Sequence, residues 1–149
     1  MNKYDKIINE RVENMKLKNM LLVVKDIDKS KDFYHRILGL HILFEYHGRA
    51  VLSSNITLQS LETWKDMIGQ DDNQIIFQNH ACQLSFEVED LDYLIELLDK
   101  YQVTMIYSSK NQSWGPKIIR FYDPDGHIIE VSETLRKVVR RFLNLGLSH

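Results

Sequence analysis

The sequence predicts an α+β fold of two tandem βαβββ modules that form a curved mixed sheet around one cavity. Three observations predict it. The order of one strand, one helix and three strands occurs twice along the chain. Short segments alternate apolar and polar residues at the strand period, and two segments with helical spacing follow acidic residues that can cap them. The two halves also align with each other at nearly constant offsets, as duplicated units do.

The first module is expected between residues 18 and 61. Its opening strand is predicted by the letters KNMLLVVKDID, and Asp28 is a candidate N-cap for a helix that ends at Gly39. Three short strands follow with little between them, as antiparallel neighbours require. They are expected at residues 41–47, 49–54 and 55–60.

The second module is expected between residues 80 and 133, after a connector over residues 62–79. The letters HACQLSFEVED predict its first strand, and Asp90 or Asp92 starts the helix that follows. The last two strands are KIIRFY and HIIEVSE, joined as a hairpin by the turn letters DPDG. Helical additions are expected at both ends, over residues 1–17 and 134–149.

The internal repeat predicts where four polar side chains lie. The letters VVKDID and EVEDLD align with an offset of 64 residues, which places Asn19 on Gln83. The letters NITLQS and HIIEVS align with an offset of 71, which places Gln59 on Glu130. Successive strand residues face opposite sides, so apolar residues such as Met20 pack under the helices while these four polar side chains point the other way. They are predicted to share one concave space.

The chain resembles the glyoxalase, bleomycin-resistance and extradiol-dioxygenase superfamily, also called vicinal oxygen chelate proteins. The resemblance rests on the paired modules and on the phrases VVKDIDKSKDFYHRILGLHI and FYDPDGHIIEVSE, and it covers residues 17–134. The phrase SWGPKIIRFYDPDGHIIEV is similar to a bacterial glyoxalase-like subgroup. In metal-using members, the four cavity positions carry ligands to one divalent ion. Among the four positions of this sequence, Glu130 matches that pattern outright.

The departures from the pattern argue against a tightly held metal cofactor. A catalytic metal site usually needs about three imidazole, thiolate or carboxylate ligands, and here the other three positions are amides. Gln59 and Gln83 are weak co-ligands beside Glu130, so Zn²⁺, Ni²⁺ or Fe²⁺ should be held poorly. A divalent metal at Glu130 remains the alternative.

Arg120 and two tryptophans are further candidates for ligand contacts. Arg120 lies on the strand next to Glu130, where fosfomycin-resistance relatives place a substrate-binding side chain. It can pair with Glu130 and leave a neutral pocket, bind an anionic ligand, or form an ordinary cross-strand ion pair. Trp64 and Trp114 stand at equivalent ends of the two halves, where each indole can stack on a planar ligand or pack beneath a loop.

The resemblance and the donor set together favour a protein that binds a small polar molecule, as the metal-free bleomycin-binding members do. The alternative is a metal-dependent lyase or isomerase similar to glyoxalase I (lactoylglutathione lyase), with Glu130 as its catalytic base. Whether the protein is an enzyme is left open by the sequence.

The composition of the chain indicates which classes of binding partner to expect. Nineteen basic and 21 acidic residues give a net charge of −2, which predicts neither a nucleic-acid nor a membrane partner. Cys82 is the only cysteine, and no apolar run is long enough to span a bilayer, so a cytoplasmic protein is expected.

Family members commonly form homodimers. The terminal helices are expected to pack on the sheet or on a second subunit; their predicted inward residues are Tyr4, Ile8, Val12 and Met15, and Leu135, Val138, Val139, Phe142 and Leu143.

Overall fold

The helices and strands follow the predicted order in a computed structural model, which describes residues 2–12, 15–108 and 116–146. The N-terminal helix is α1 (Lys3–Val12), and the C-terminal helix is α5 (Leu135–Gly146). The first module contains β1 (Met20–Val24), α2 (Ile27–Arg36), β2 (Ile42–Tyr46), β3 (Arg49–Leu52) and β4 (Ile56–Ser60). The connector holds α3 (Leu61–Ile68) and a short 3₁₀ turn (Asp72–Gln74). The second module contains β5 (Gln83–Val88), α4 (Leu91–Lys100), β6 (Met105–Ser108), β7 (Ile118–Tyr122) and β8 (Ile128–Glu133).

The described strands form two four-stranded mixed sheets with the same topology. The strand order is β1-β4-β3-β2 in the first sheet and β5-β8-β7-β6 in the second. In each module the first and last strands pair in parallel and the remaining neighbours pair antiparallel. This confirms the α+β class and the tandem βαβββ modules. The sheets stay separate, so the eight strands are not hydrogen-bonded into one continuous sheet.

The N-cap of α2 differs from the predicted residue, and the N-cap of α4 is one of the two residues predicted for it. Asp26, not Asp28, caps α2: its backbone is extended, and its side chain accepts a hydrogen bond from the backbone N–H of Lys29. Asp28 lies in the first helical turn instead, where its charge complements the helix dipole. Asp90 caps α4 by accepting from the backbone N–H of Tyr93.

One hydrophobic core is shared by both modules. Alternation along the strands supplies it, with Val24 and Leu58 from the first sheet and Phe121 and Ile129 from the second all fully buried. Met20 departs from its predicted burial, because it begins β1 at the edge of its sheet and remains 39% exposed. The opposite face of each sheet is left for polar side chains.

The DPDG turn (residues 123–126) connects the second module to the first through hydrogen bonds. Asp123 is buried and accepts a hydrogen bond of 2.8 Å from the hydroxyl of Tyr34, which lies on α2. Asp125 accepts from the backbone N–H of Lys25 at 3.2 Å and from the hydroxyl of Ser30 at 3.4 Å. The turn therefore holds the hairpin of one module against the helix of the other, which gives the motif a structural role.

Burial shifts the pKa values of two groups in this turn contact, Tyr34 and Asp125. It raises the pKa of Tyr34 well above its ordinary value, and the neighbouring charge of Asp123 raises it further, so the phenol stays a donor. Burial also raises the pKa of Asp125, although the hydrogen bond from the backbone N–H of Lys25 works in the opposite direction. Both groups therefore prefer their neutral forms more than exposed counterparts would.

The terminal helices are less buried than predicted. Among the α5 residues whose burial is described, Val138 alone is buried. The other predicted inward residues are exposed by 71%, 46%, 47% and 62%: Leu135, Val139, Phe142 and Leu143. Helix α5 is held by an ion pair, in which Arg141 donates to buried Glu133 at 2.6 Å. Burial alone would raise the pKa of Glu133, but hydrogen bonds from Arg141 and from the backbone N–H of Lys117 outweigh it and lower that pKa.

At the other end of the chain, Tyr4 and Met15 are 73% and 79% exposed, so they do not pack on the sheet. The side chains of Ile8 and Val12 lie outside the described set. A second subunit over these helices stays a prediction. None of the described helices is both long and apolar enough to cross a membrane.

Candidate functional site

A polar cluster lies on the second sheet, on the face opposite the core. Strand register places Arg120 of β7 directly opposite Glu130 of β8, with the buried Phe121 and Ile129 pointing to the other side. The guanidinium of Arg120 donates from Nε to Gln83 Oε1 at 3.0 Å and from Nη2 to Glu130 Oε2 at 2.5 Å. The structure therefore brings three of the predicted site residues together.

This cluster is partly accessible. The side chain of Arg120 is 36% exposed and that of Glu130 is 16% exposed. Gln83 is oriented by a second contact, since its Nε2 donates to the hydroxyl of Ser85 at 2.9 Å. Glu130 Oε1 and the remaining N–H groups of Arg120 have no hydrogen-bond partner within the described ranges. They are the atoms that a ligand can reach.

Gln59 lies at the equivalent place on the first sheet, but it is fully buried. Its Oε1 accepts from Arg49 Nε at 2.7 Å. Its Nε2 donates to Thr63 Oγ1 at 2.6 Å and to the carbonyl oxygens of His47 and Gly48 at 3.2 and 3.3 Å. The amide thus ties β4 to α3 and to the β2–β3 turn, and its hydrogen-bonding groups are used within the protein.

Gly48 explains why the turn can approach so closely. Its φ of +69° lies in the left-handed region, and a Cβ there would stand 2.5 Å from Ser60 Oγ and 2.7 Å from Thr63 Oγ1. Only a glycine brings the turn against the start of α3 without displacing it.

Neither Asn19 nor Trp64, the other predicted residues that the structure describes, is hydrogen-bonded to Gln83, Arg120 or Glu130. Asn19 is half-buried and lines a cavity of about 220 Å³ with Ser54, Asn55 and residues of β5. Trp64 is half-buried on α3. Trp114 lies outside the described residues. The structure therefore joins Gln83, Arg120 and Glu130, and places Gln59 in a second cluster on the other sheet.

Arg49 is the functional candidate that the sequence analysis missed. It lies opposite Gln59 on β3, as Arg120 lies opposite Glu130 on β7. The signal was present, because the offset of 71 residues that aligns Gln59 with Glu130 also aligns Arg49 with Arg120. Each sheet therefore carries an arginine paired across strands with an amide or a carboxylate.

The donor set does not fit a tightly held metal ion. No group of three or more histidine, cysteine, aspartate or glutamate side chains with metal-binding geometry occurs in the part of the chain that the structure describes. Gln59 Oε1, Gln83 Oε1 and Glu130 Oε2 each accept a hydrogen bond from a guanidinium. Glu130 Oε1 is the one carboxylate oxygen here that no described guanidinium contacts, and the other two donors are weak neutral amides.

Comparison with known proteins agrees with the fold and with the motifs. A family model described as a glyoxalase-like domain matches residues 17–136. The uncharacterized protein YraH of Bacillus subtilis is 30% identical over 81% of this chain and all of its own length. The metallothiol transferase FosB of Lysinibacillus sphaericus is 27% identical over 76% of this chain and 79% of its own. A crystal structure of a protein of unknown function from Agrobacterium tumefaciens is similar with a TM-score of 0.73 and 32% identity, covering 82% of this chain and 96% of that one.

The chain therefore belongs to the glyoxalase-like domain family. Its second sheet carries the polar face that holds Gln83, Arg120 and Glu130. The particular residues on that face decide what this member can do.

Proposed function

We propose that this protein binds a small polar molecule on the polar face of its second sheet, without a tightly held catalytic metal. The observation that carries the proposal is the position of Arg120, whose guanidinium is bonded to both Gln83 and Glu130. The protein supplies its own cation to the oxygens that a metal would otherwise need.

The chemistry of the cluster suits a neutral polar ligand. The charges of Arg120 and Glu130 cancel, while Glu130 Oε1 can accept a hydrogen bond and the outer N–H groups of Arg120 can donate. A ligand with hydroxyl or amide groups can both donate to Glu130 Oε1 and accept from Arg120. Asn19, Trp64 and Trp114 are proposed as further contacts around the ligand, and Gln59 is proposed to act indirectly by orienting Arg49.

The proposed setting is a cytoplasmic homodimer without a nucleic-acid or membrane partner. The exposed apolar residues of α5 support a second subunit, because such a stripe is costly to leave in water. The single cysteine and the small net charge support the rest of the assignment.

The second candidate function is a metal-dependent enzyme that uses Glu130. It is favoured by the 27% identity to a relative named a metallothiol transferase and by the carboxylate at position 130. In such an enzyme, or in a lyase similar to glyoxalase I, a metal would bind Glu130 through Oε1 or would displace the guanidinium of Arg120 from Oε2.

A thermal-shift screen with metabolites and antibiotics tests the proposed binding function. At least one polar compound is expected to raise the melting temperature of the wild-type protein. Glu130→Gln and Arg120→Met should each weaken its affinity by about 10-fold to 100-fold, because each removes a charged hydrogen-bonding partner. Arg36→Gln is the matched control, since Arg36 is an exposed arginine on α2 that pairs with Asp32. Affinity unchanged in both site variants would contradict the proposal.

A further inference from the structure

We propose that Arg49 forms an anion subsite that takes the carboxylate or phosphate group of a ligand with a flat apolar body. This proposal goes beyond the proposed function, because it concerns a second subsite with its own class of ligand. It concerns the first sheet, whereas the cluster of Gln83, Arg120 and Glu130 lies on the second.

The charge of Arg49 is not compensated as that of Arg120 is. Arg120 pairs with the carboxylate of Glu130, whereas Arg49 has the neutral amide of Gln59 at the equivalent position. No carboxylate lies within ion-pair distance of Arg49 among the side chains that the structure describes. An oxyanion is the group that this half-buried positive charge lacks.

The guanidinium is held in place before any ligand arrives. Nε donates to Gln59 Oε1 at 2.7 Å, and Nη1 donates to the hydroxyl of Tyr46 at 3.0 Å. A guanidinium has five N–H donors, so three remain without a partner among the described residues. They include both N–H groups of Nη2, and a planar fork of this kind matches a carboxylate or phosphate.

The orientation of Gln59 is itself forced, which fixes Arg49 further. Its Nε2 faces the carbonyl oxygens of His47 and Gly48, and carbonyls can only accept hydrogen bonds. The amide oxygen must therefore point towards Arg49. Holding the arginine in this way reduces the side-chain entropy that anion binding would cost.

Aromatic side chains beside Arg49 indicate the rest of the ligand. Tyr46 is 43% exposed and Phe44 is 62% exposed, and their ring centroids lie 5.2 Å apart on β2. The guanidinium carbon of Arg49 lies 5.5 Å from the centroid of the Tyr46 ring. Two large exposed rings next to an uncompensated guanidinium suit an acid whose body is flat and apolar.

Benzoate and phenyl phosphate are suitable probes, with benzamide as the uncharged counterpart of benzoate. Each is titrated at constant ionic strength into ¹⁵N-labelled protein, and the Nε–Hε signal of Arg49 is followed by NMR. Both acids are expected to shift this signal saturably. Benzamide should bind at least about tenfold more weakly, because it brings the ring without the charge.

Variants decide whether Arg49 is responsible. Arg49→Gln and Arg49→Lys both lack the Nε–Hε signal of Arg49, so their binding is followed through the backbone amide signals of Phe44 and Tyr46, which are followed in the wild type too. Arg49→Gln should weaken the binding of both acids by at least about tenfold, whereas Arg49→Lys should retain part of it as a point charge. Arg36→Gln, the same change at an exposed arginine on α2, should leave binding unchanged. Melting temperatures of all variants identify any that fail to fold.

The proposal is overturned if neither acid shifts the signal, if benzamide binds as well as benzoate, or if Arg49→Gln binds both acids as the wild type does. These results leave the ligand screen at Glu130 and Arg120 intact, so failure of the anion subsite is distinguishable from failure of the proposed function.

Discussion

Asp123→Ala is expected to lower the free energy of unfolding by about 3–5 kcal/mol, because a buried carboxylate that serves several donors is lost. Asp123 is 4% exposed. It accepts from the Tyr34 hydroxyl at 2.8 Å, from the backbone N–H groups of Asp125 and His127 at 2.9 Å, and lies 2.6 Å from the His127 ring nitrogen. Without it, these donors lose their acceptor, and the two modules lose the hydrogen bond between Tyr34 and Asp123.

Urea unfolding followed by circular dichroism measures this loss. Tyr34→Phe is the matched variant, since it removes one of the hydrogen bonds and leaves the ring in the core; a loss of about 1–2 kcal/mol is expected. If Asp123→Ala costs less than Tyr34→Phe, the turn does not fasten the modules as described.

Gln59→Glu is expected to destabilise the protein by about 3 kcal/mol at neutral pH, although it copies the residue found at the equivalent position of the second module. Gln59 is fully buried, and its Nε2 donates to the carbonyl oxygens of His47 and Gly48. A carboxylate would face those oxygens with no proton to donate. The loss should shrink as the pH falls, because a protonated carboxyl can again donate to one of them.

The reciprocal change, Glu130→Gln, is the control for that substitution. Glu130 lies in a partly exposed ion pair with Arg120, so neutralising it should cost less than about 1 kcal/mol. Urea unfolding at pH 7 and pH 5 compares the two variants. The account would be contradicted if both variants lost the same free energy of unfolding, or if the loss in Gln59→Glu did not depend on pH. Either result would mean that the hydrogen bonds donated by Gln59 Nε2 do not matter for stability.

Much of the fold could be predicted from the sequence, because alternation is a local pattern and the internal repeat relates each strand of one module to its counterpart in the other. They located the strands of both modules and paired Gln59 with Glu130. The N-cap of α2 could not be predicted from residue type alone, because Asp26 and Asp28 are both good N-cap residues. Only the backbone conformation selects Asp26.

The site could be predicted only in part, because strand alternation gives the face of a side chain but not what covers it. Alternation placed Gln59 on the polar face, yet α3 and the β2–β3 turn bury it there. Cross-strand register shows that Arg120 pairs with Glu130, a contact that two of the three alternatives for Arg120 share. Its role towards a ligand stays a prediction. The exposure of Leu135 and Phe142 depends on tertiary packing, which helical spacing alone does not reveal.

The central claim is that a guanidinium, not a metal ion, partners Glu130 and Gln83. Elemental analysis of protein purified without chelator tests it most directly, with Glu130→Ala measured in parallel. Substoichiometric zinc, nickel and iron in both proteins is the expected result. One divalent ion per chain in the wild type, lost in Glu130→Ala, would contradict the claim and favour the metal-dependent enzyme.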